Sequence, residues 1–316
     1  MLNRRHLRIK ILQMLYAYYQ SGEENLLKFE KELLGSIERM YDLYLVLLLT
    51  MPELVHAAEN RIDDKKKKLR PTEEDLNPNL KFVNNQVFRK IEESQFIIKE
   101  SELHKANWIG AEKQEIFRKL FLQIQESELY FEYMNDTENS FENDKSFAVN
   151  LFKSEIANSE LLHNFFEETS IHWMDDLDHT CSMVLKTIKA NDENAEFSIL
   201  PLYKPNDSEK EFVVDLFRKT VAMNIENELI IDELTKNWEL DRIAKMDIIL
   251  LKMGITELQI FPEIPTKVTL NETIEISKYY STPKSNTFIN GILDKAIEHL
   301  KKDKKIVKIG RGLLNS

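Results

Sequence analysis

Glycine is scarce in this chain: 7 residues of 316, about 2% against roughly 7% in average proteins. From Ala111 to Leu200 neither glycine nor proline occurs, and these are the residues that punctuate turns. Sheet-rich folds, which need many tight turns, are disfavoured, and an all-α fold is expected. The same scarcity removes phosphate-cradling loops, because neither G-x-G-x-x-G nor G-x-x-x-x-G-K-[ST] is present. Cysteine is nearly absent as well. The single Cys181 excludes an internal disulfide framework and a C-x-x-C zinc cluster, and it fits a reducing cytosol. No long hydrophobic run occurs: the longest, Leu43 to Met51 with Thr50 inside it, is about half of what a membrane span requires. A cytoplasmic protein with no export signal and no membrane contact is expected.

What is present is charge, unevenly spread. The formal net charge is −11. Residues 1–10 carry Arg4, Arg5, Arg8 and Lys10 with no acid, or +4, and residues 301–311 carry +5, which leaves −20 on the body. An acidic body with basic ends repels nucleic acid everywhere except at a local footprint. The carboxy-terminal lysines also read as a solubilising tail that favours the preceding helix dipole. At the amino end, Leu7, Ile11, Met14 and Tyr18 mark an amphipathic helix starting near Arg4. Cations in a first helical turn oppose the dipole there. Arg4, Arg5 and Arg8 are therefore expected to gain nothing in folding and to serve an anion, with phosphate matching the guanidinium fork.

Further along, a stripe from Leu26 to Leu48 continues as helix until Pro52 limits or kinks it. Lys65 to Lys68 lie among five acids and read as a solvated loop. Helices are expected from about 84 to 190, interrupted by the polar stretch Asn135 to Ser146, with a break over Lys189 to Glu211. Phe212 to Trp238 reads as one long helix, and the stripe Ile243, Met246, Leu250, Met253 as another, with Gly254 implying a close helix contact. Thr269-x-x-Glu272 reads as a capping box and Ser285 as the cap of the last helix. The face His172, Asp175, Asp176, His179 has metal-ligand spacing, but no second ligand set accompanies it, and a polar helix face is the better reading. No nucleophile elbow or cofactor loop is found, so no enzyme and no cofactor are expected.

Three stretches carry a resemblance: ELDRIAKMDIILLKMGITEL, then IPTKVTLNETIEISKYY, then FINGILDKAI, with RRHLRIKILQMLYAYYQSG at the start. Together they resemble the NusB family of transcription antitermination factors, over about residues 1–22 and 212–300. That resemblance implies a helical bundle that binds the boxA element of ribosomal RNA transcripts together with the small-subunit ribosomal protein NusE, within the transcription elongation complex. It assigns RNA contact to Arg4, Arg5 and Arg8, a base-edge contact to Asp247 and base stacking to Phe288. Lys267, Asn271, Glu272, Asn290 and Asp294 are motif residues for packing and loops. Lys284 departs from an acid in some members and Thr256 from a common tyrosine. The organisation expected is a first helix (1–22), a helical insertion of unassigned role (23–211), a bundle (212–300) and a basic tail (301–316). A helical interaction scaffold without RNA binding is the alternative. A fused methyltransferase would need a glycine-rich cofactor domain that this sequence lacks.

Overall fold

The expected helices form. The computed structural model describes residues 2–203, 208–236 and 243–314, and among these no strand occurs. In chain order the helices are α1 (Arg4–Ser21), α2 (Leu26–Lys66), α3 (Glu73–Leu76), α4 (Gln86–Glu93), α5 (Gln95–His104), α6 (Ala111–Gln125), α7 (Glu128–Asn135) and α8 (Phe141–Leu151). They continue with α9 (Glu160–Thr169), α10 (Ile171–Ala190), α11 (Ser208–Ala222), α12 (Asn224–Leu234), α13 (Lys245–Ile260), α14 (Thr266–Tyr280) and α15 (Ser285–Lys302). The chain divides into two compact units, Met1–Ile37 with Tyr203–Ser316, and Glu38–Leu202. The family resemblance sets the expected breaks at residues 22 and 211. The borders of the two compact units fall inside α2 and just before α11. Residues 239–242, which open the first carboxy-terminal match, lie outside the described residues, as do Asn237 and Trp238.

In the first unit α13 is apolar around most of its circumference, which makes it a central helix rather than a surface one. Ile249, Leu250, Leu251, Met253, Ile255 and Leu258 are all buried, and α1, α11, α12, α14 and α15 pack about it. Gly254 permits this approach: a Cβ there would lie 3.2 Å from Thr273 Oγ1 and 3.3 Å from Leu293 Cδ2. Four local expectations change. The helix from Phe212 is broken at Met223 into α11 and α12. α14 begins at Thr266, behind Pro265, so Thr269 and Glu272 do not form a cap; they reach Glu257 and Arg5 instead. Ser285 is the first residue of α15, and its hydroxyl donates to Asp247 Oδ2 at 2.7 Å rather than capping. Finally, α2 is not ended by Pro52 but continues past it to Lys66. An interior proline removes one helical hydrogen bond, but Leu47, Leu48, Met51, Leu54 and Val55 around it are buried, and that packing holds the helix. α2 is long and apolar enough to cross a membrane, yet 78% of its apolar window is buried inside the protein, as in a core helix.

The second unit is aromatic. Trp108 meets Phe117 edge-on with ring centres 4.7 Å apart, and Phe165 at 4.8 Å. Tyr133 stacks on Phe147 at 3.7 Å. The polar stretch expected to interrupt 135–146 shortens to the α7–α8 turn, because Ser140 caps α8 through the Asn143 N–H. Asn85, fully buried, accepts from Val87 and Phe88 N–H and donates to the Tyr133 hydroxyl. His172 of the metal-spaced face meets the Arg39 guanidinium, at 3.2 Å, and among the described residues no three such side chains gather to hold a metal. Cys181 is buried, which pushes its thiol up to about 12 and makes it a poor nucleophile.

His56 gives this unit a pH dependence. Its Nε2 lies 2.9 Å from Glu92 Oε1 and its Nδ1 3.8 Å from Glu53. The Glu53 carboxylate foremost, with Glu92 and against partial burial, raises the imidazole from 6.5 to about 9. A raised folded-state value stabilises the fold fully below the unfolded pKa, and that stability disappears as pH rises through about 9. Urea unfolding at pH 6 and pH 9.5 is expected to show wild type losing its advantage over His56→Gln at the higher pH. An advantage that does not change with pH would contradict this.

Candidate nucleic-acid interface

The amino end of α1 is built without a single acid. Asn3 caps it by accepting the His6 N–H, and Arg4, Arg5 and Arg8 occupy the next turns. Leu7, Ile11, Met14 and Leu15 bury the opposite face, which fixes the rotation of the helix and sends the three arginines to three different environments. Arg4 is half-buried, with its guanidinium 5.1 Å from the centre of the Phe212 ring. A guanidinium over an aromatic face is attracted by the ring quadrupole, and the Arg8 guanidinium lies 5.2 Å from the centre of the same ring. Arg5 is exposed and forms a two-pronged ion pair with Glu272 of α14, at 2.7 and 2.9 Å. The hydrogen bond from Arg5 is the first cause that holds the Glu272 carboxyl below its ordinary range. Arg8 is 2% exposed. Its Nε and Nη2 donate to Glu257 of α13 at 2.6 and 2.7 Å, and Thr269 also donates to that carboxylate.

The three arginines therefore differ in what they can release to a ligand. An exposed ion pair such as Arg5–Glu272 contributes about 0–1 kcal/mol and can exchange its carboxylate for a phosphate at little cost. Breaking a buried pair costs about 3–5 kcal/mol, so Arg8 stays with Glu257 and holds α1 on α13. The expectation that these cations gain nothing in folding is corrected at Arg5 and Arg8, because acids from α14 and α13 supply what the α1 dipole opposes. The partners are 267 and 249 residues away in sequence, beyond reach of any local pattern.

These side chains line a cleft of about 580 Å³ that includes Arg4, Arg5, Arg8, Glu272, Pro265 and Arg311. Pro265 precedes α14, whose first turn has no side-chain cap. The cleft thus combines two helix amino ends with arginines, an arrangement suited to a polyanion.

The matched sequence stretches meet in this unit, and comparison with known proteins agrees. The NusB family model matches residues 179–298, beginning inside α10 and so well before residue 212. The transcription antitermination protein NusB of Salinibacter ruber is 42% identical over 138 residues, which is 42% of this chain and 86% of that protein. The chain belongs to the NusB family. The NusB of Listeria monocytogenes is 38% identical over 87 residues, 28% of this chain and 68% of that protein. For that of Natranaerobius thermophilus the values are 42% over 72 residues, 23% of this chain and 52% of that protein. No solved structure matches.

Within this NusB-family unit, Asp247 is 4% exposed. Its two carboxylate oxygens accept from Ser281 at 2.5 Å and Ser285 at 2.7 Å, tying the start of α13 to the end of α14 and the start of α15. That placement differs from the expected base-edge contact, because the carboxylate is buried and each oxygen already accepts a hydrogen bond inside the fold. Phe288 lies half-buried in the first turn of α15 and is not among the residues lining the arginine cleft. Thr256, which stands where tyrosine is common in the family, is fully buried and accepts from Asn227 at 2.8 Å, so that position is internal packing. Lys284 is exposed ahead of α15. Two features went unread in the sequence. Glu257 is the partner of Arg8, for which no signal existed. Tyr279 is 82% exposed on the α14 face of Glu272 and Glu275; the i, i+3, i+7 spacing was its available signal.

Proposed function

We propose that this NusB-family chain is a cytoplasmic, non-catalytic transcription antitermination factor that binds boxA-like single-stranded RNA of ribosomal RNA transcripts. In this reading it acts with the small-subunit ribosomal protein NusE in the elongation complex. The observation that carries the reading is the acid-free amino end of α1, with Arg4 stacked on Phe212 and Arg5 in an exchangeable surface pair on one open cleft. Arg4 and Arg5 are the phosphate contacts. Arg8, through Glu257, and Asp247, through Ser281 and Ser285, position the helices that present them. Phe288 supplies a stacking face to a base, and a stacked aromatic contributes about 1–3 kcal/mol per base with little preference for which base.

The test is equilibrium binding of a boxA-like RNA across a salt series. Each neutralised phosphate of a single strand contributes about −0.7 to the slope of log affinity against log salt. The double substitution Arg4→Ala/Arg5→Ala is expected to weaken binding by about tenfold per arginine, each roughly 1.4 kcal/mol, and to flatten the slope by about 1.4. Unchanged affinity in a folded double variant overturns the reading and favours the scaffold that does not bind RNA.

A further inference from the structure

The basic tail beyond α15 is expected from sequence to be solvated, and it lies past the end of the family match at residue 298. It is instead fastened to the fold at successive points. Lys304 adopts a left-handed conformation, φ +57°, that ends α15 and turns the chain back. Lys305 Nζ pairs with Glu226 of α12 at 2.6 Å. Lys308 Nζ donates to the carbonyls of Leu258 and Phe261, at 3.0 and 2.9 Å, at the carboxy end of α13. Burial there lowers the Lys308 pKa, a cost borne because its donors fill carbonyls that the helix leaves without partners. The Ile309 N–H then donates to the Pro262 carbonyl at 3.0 Å. Gly312 is buried so close to the same residue that a Cβ would stand 1.9 Å from the Pro262 oxygen, so only glycine fits. The short turn Gly310–Leu313 that follows sets Arg311 on the rim of the cleft shared by Arg4 and Arg5. Arg311 is exposed, and neither it nor Arg4 forms an ion pair among the described residues.

We infer that residues 304–314 form a strap that completes the RNA site, with Arg311 supplying a phosphate contact from outside the matched family region. This rests on the RNA reading above. A solubilising tail needs neither a lysine seated on two helix-end carbonyls nor a glycine pressed against a backbone oxygen. What that docking secures is the position of one arginine. Its guanidinium faces the same cleft as Arg4 across the amino end of α1, so a phosphate backbone lying along the cleft meets donors from both ends of the chain.

Three variants of the full chain separate the possibilities, each titrated with the same boxA-like single-stranded RNA and checked by circular dichroism. Arg311→Ala is expected to lower affinity about five- to tenfold and to flatten the salt slope by about 0.7, one single-strand phosphate. Gly312→Val keeps every charge but cannot dock against Pro262, and the same loss is expected. Lys301→Ala removes an equal charge that does not line the cleft, and a change below about twofold is expected. If Arg311→Ala and Lys301→Ala behave alike while Arg4→Ala/Arg5→Ala abolishes binding, the strap inference is wrong and the RNA reading stands. If Gly312→Val binds as wild type, docking is irrelevant to RNA and the inference also fails. If wild type binds no RNA, both readings fall together.

Discussion

Replacing Arg8 by alanine is expected to destabilise the first unit by about 3–5 kcal/mol, the cost of leaving one member of a buried ion pair alone. Arg8 and Glu257 are 2% and 1% exposed and bonded through both prongs. Without the guanidinium, the Thr269 hydroxyl is the hydrogen-bond donor left to that carboxylate among the described residues. Hydrogen exchange of α1 and α13 amides in a urea series reads the loss, and a cost below about 1 kcal/mol would show that the pair does not anchor α1. The double variant Arg8→Met/Glu257→Leu removes both charges at similar volume and is expected to recover most of the stability, since the desolvation cost leaves with the pair. This double variant also decides the role of Arg8 toward RNA. Near wild-type affinity in a stable Arg8→Met/Glu257→Leu protein marks Arg8 as a positioning residue, and a tenfold loss marks it as a phosphate contact.

A comparable loss is expected in the second unit from Trp108→Ala. Trp108 is 1% exposed, its indole N–H donates to the Val46 carbonyl at 2.9 Å, and its ring packs on Phe117 and Phe165. Truncating a large buried aromatic costs about 3–5 kcal/mol in lost burial and cavity. Protection of amides in α6 and α9 is expected to fall accordingly. Amides of α13 are expected to keep their protection, and affinity for boxA-like RNA to stay within about twofold, because the RNA contacts proposed above all lie in the first unit. Equal loss of protection in α13 would show that the two units unfold as one. Intact α13 with RNA affinity lost would show that the second unit takes part in RNA binding.

The sequence by itself determined the all-helical class and most helix stripes, and the reason is range. Residues at i, i+3 and i+4 share a helix face whatever the rest of the chain does, so Leu7, Ile11 and Met14 declare α1 without help. It also determined that Gly254 marks a close approach, since an interior glycine is unfavourable in a helix unless something lies where a side chain would be. Local signals failed where a side chain had a better partner elsewhere. Thr269 and Glu272 have the spacing of a cap but reach Glu257 and Arg5, and Ser285 turns to Asp247. Only the tertiary structure decided which charges are available. Arg4, Arg5 and Arg8 are alike in sequence, and Arg311 reads as part of a loose tail. Folding stacks the first on Phe212, leaves the second in a surface pair, buries the third with Glu257 and carries Arg311 to the same cleft. The energy of a charge depends on its burial and on its nearest partners. Here the decisive acids stand 249 and 267 residues away, a distance that only the packed core closes.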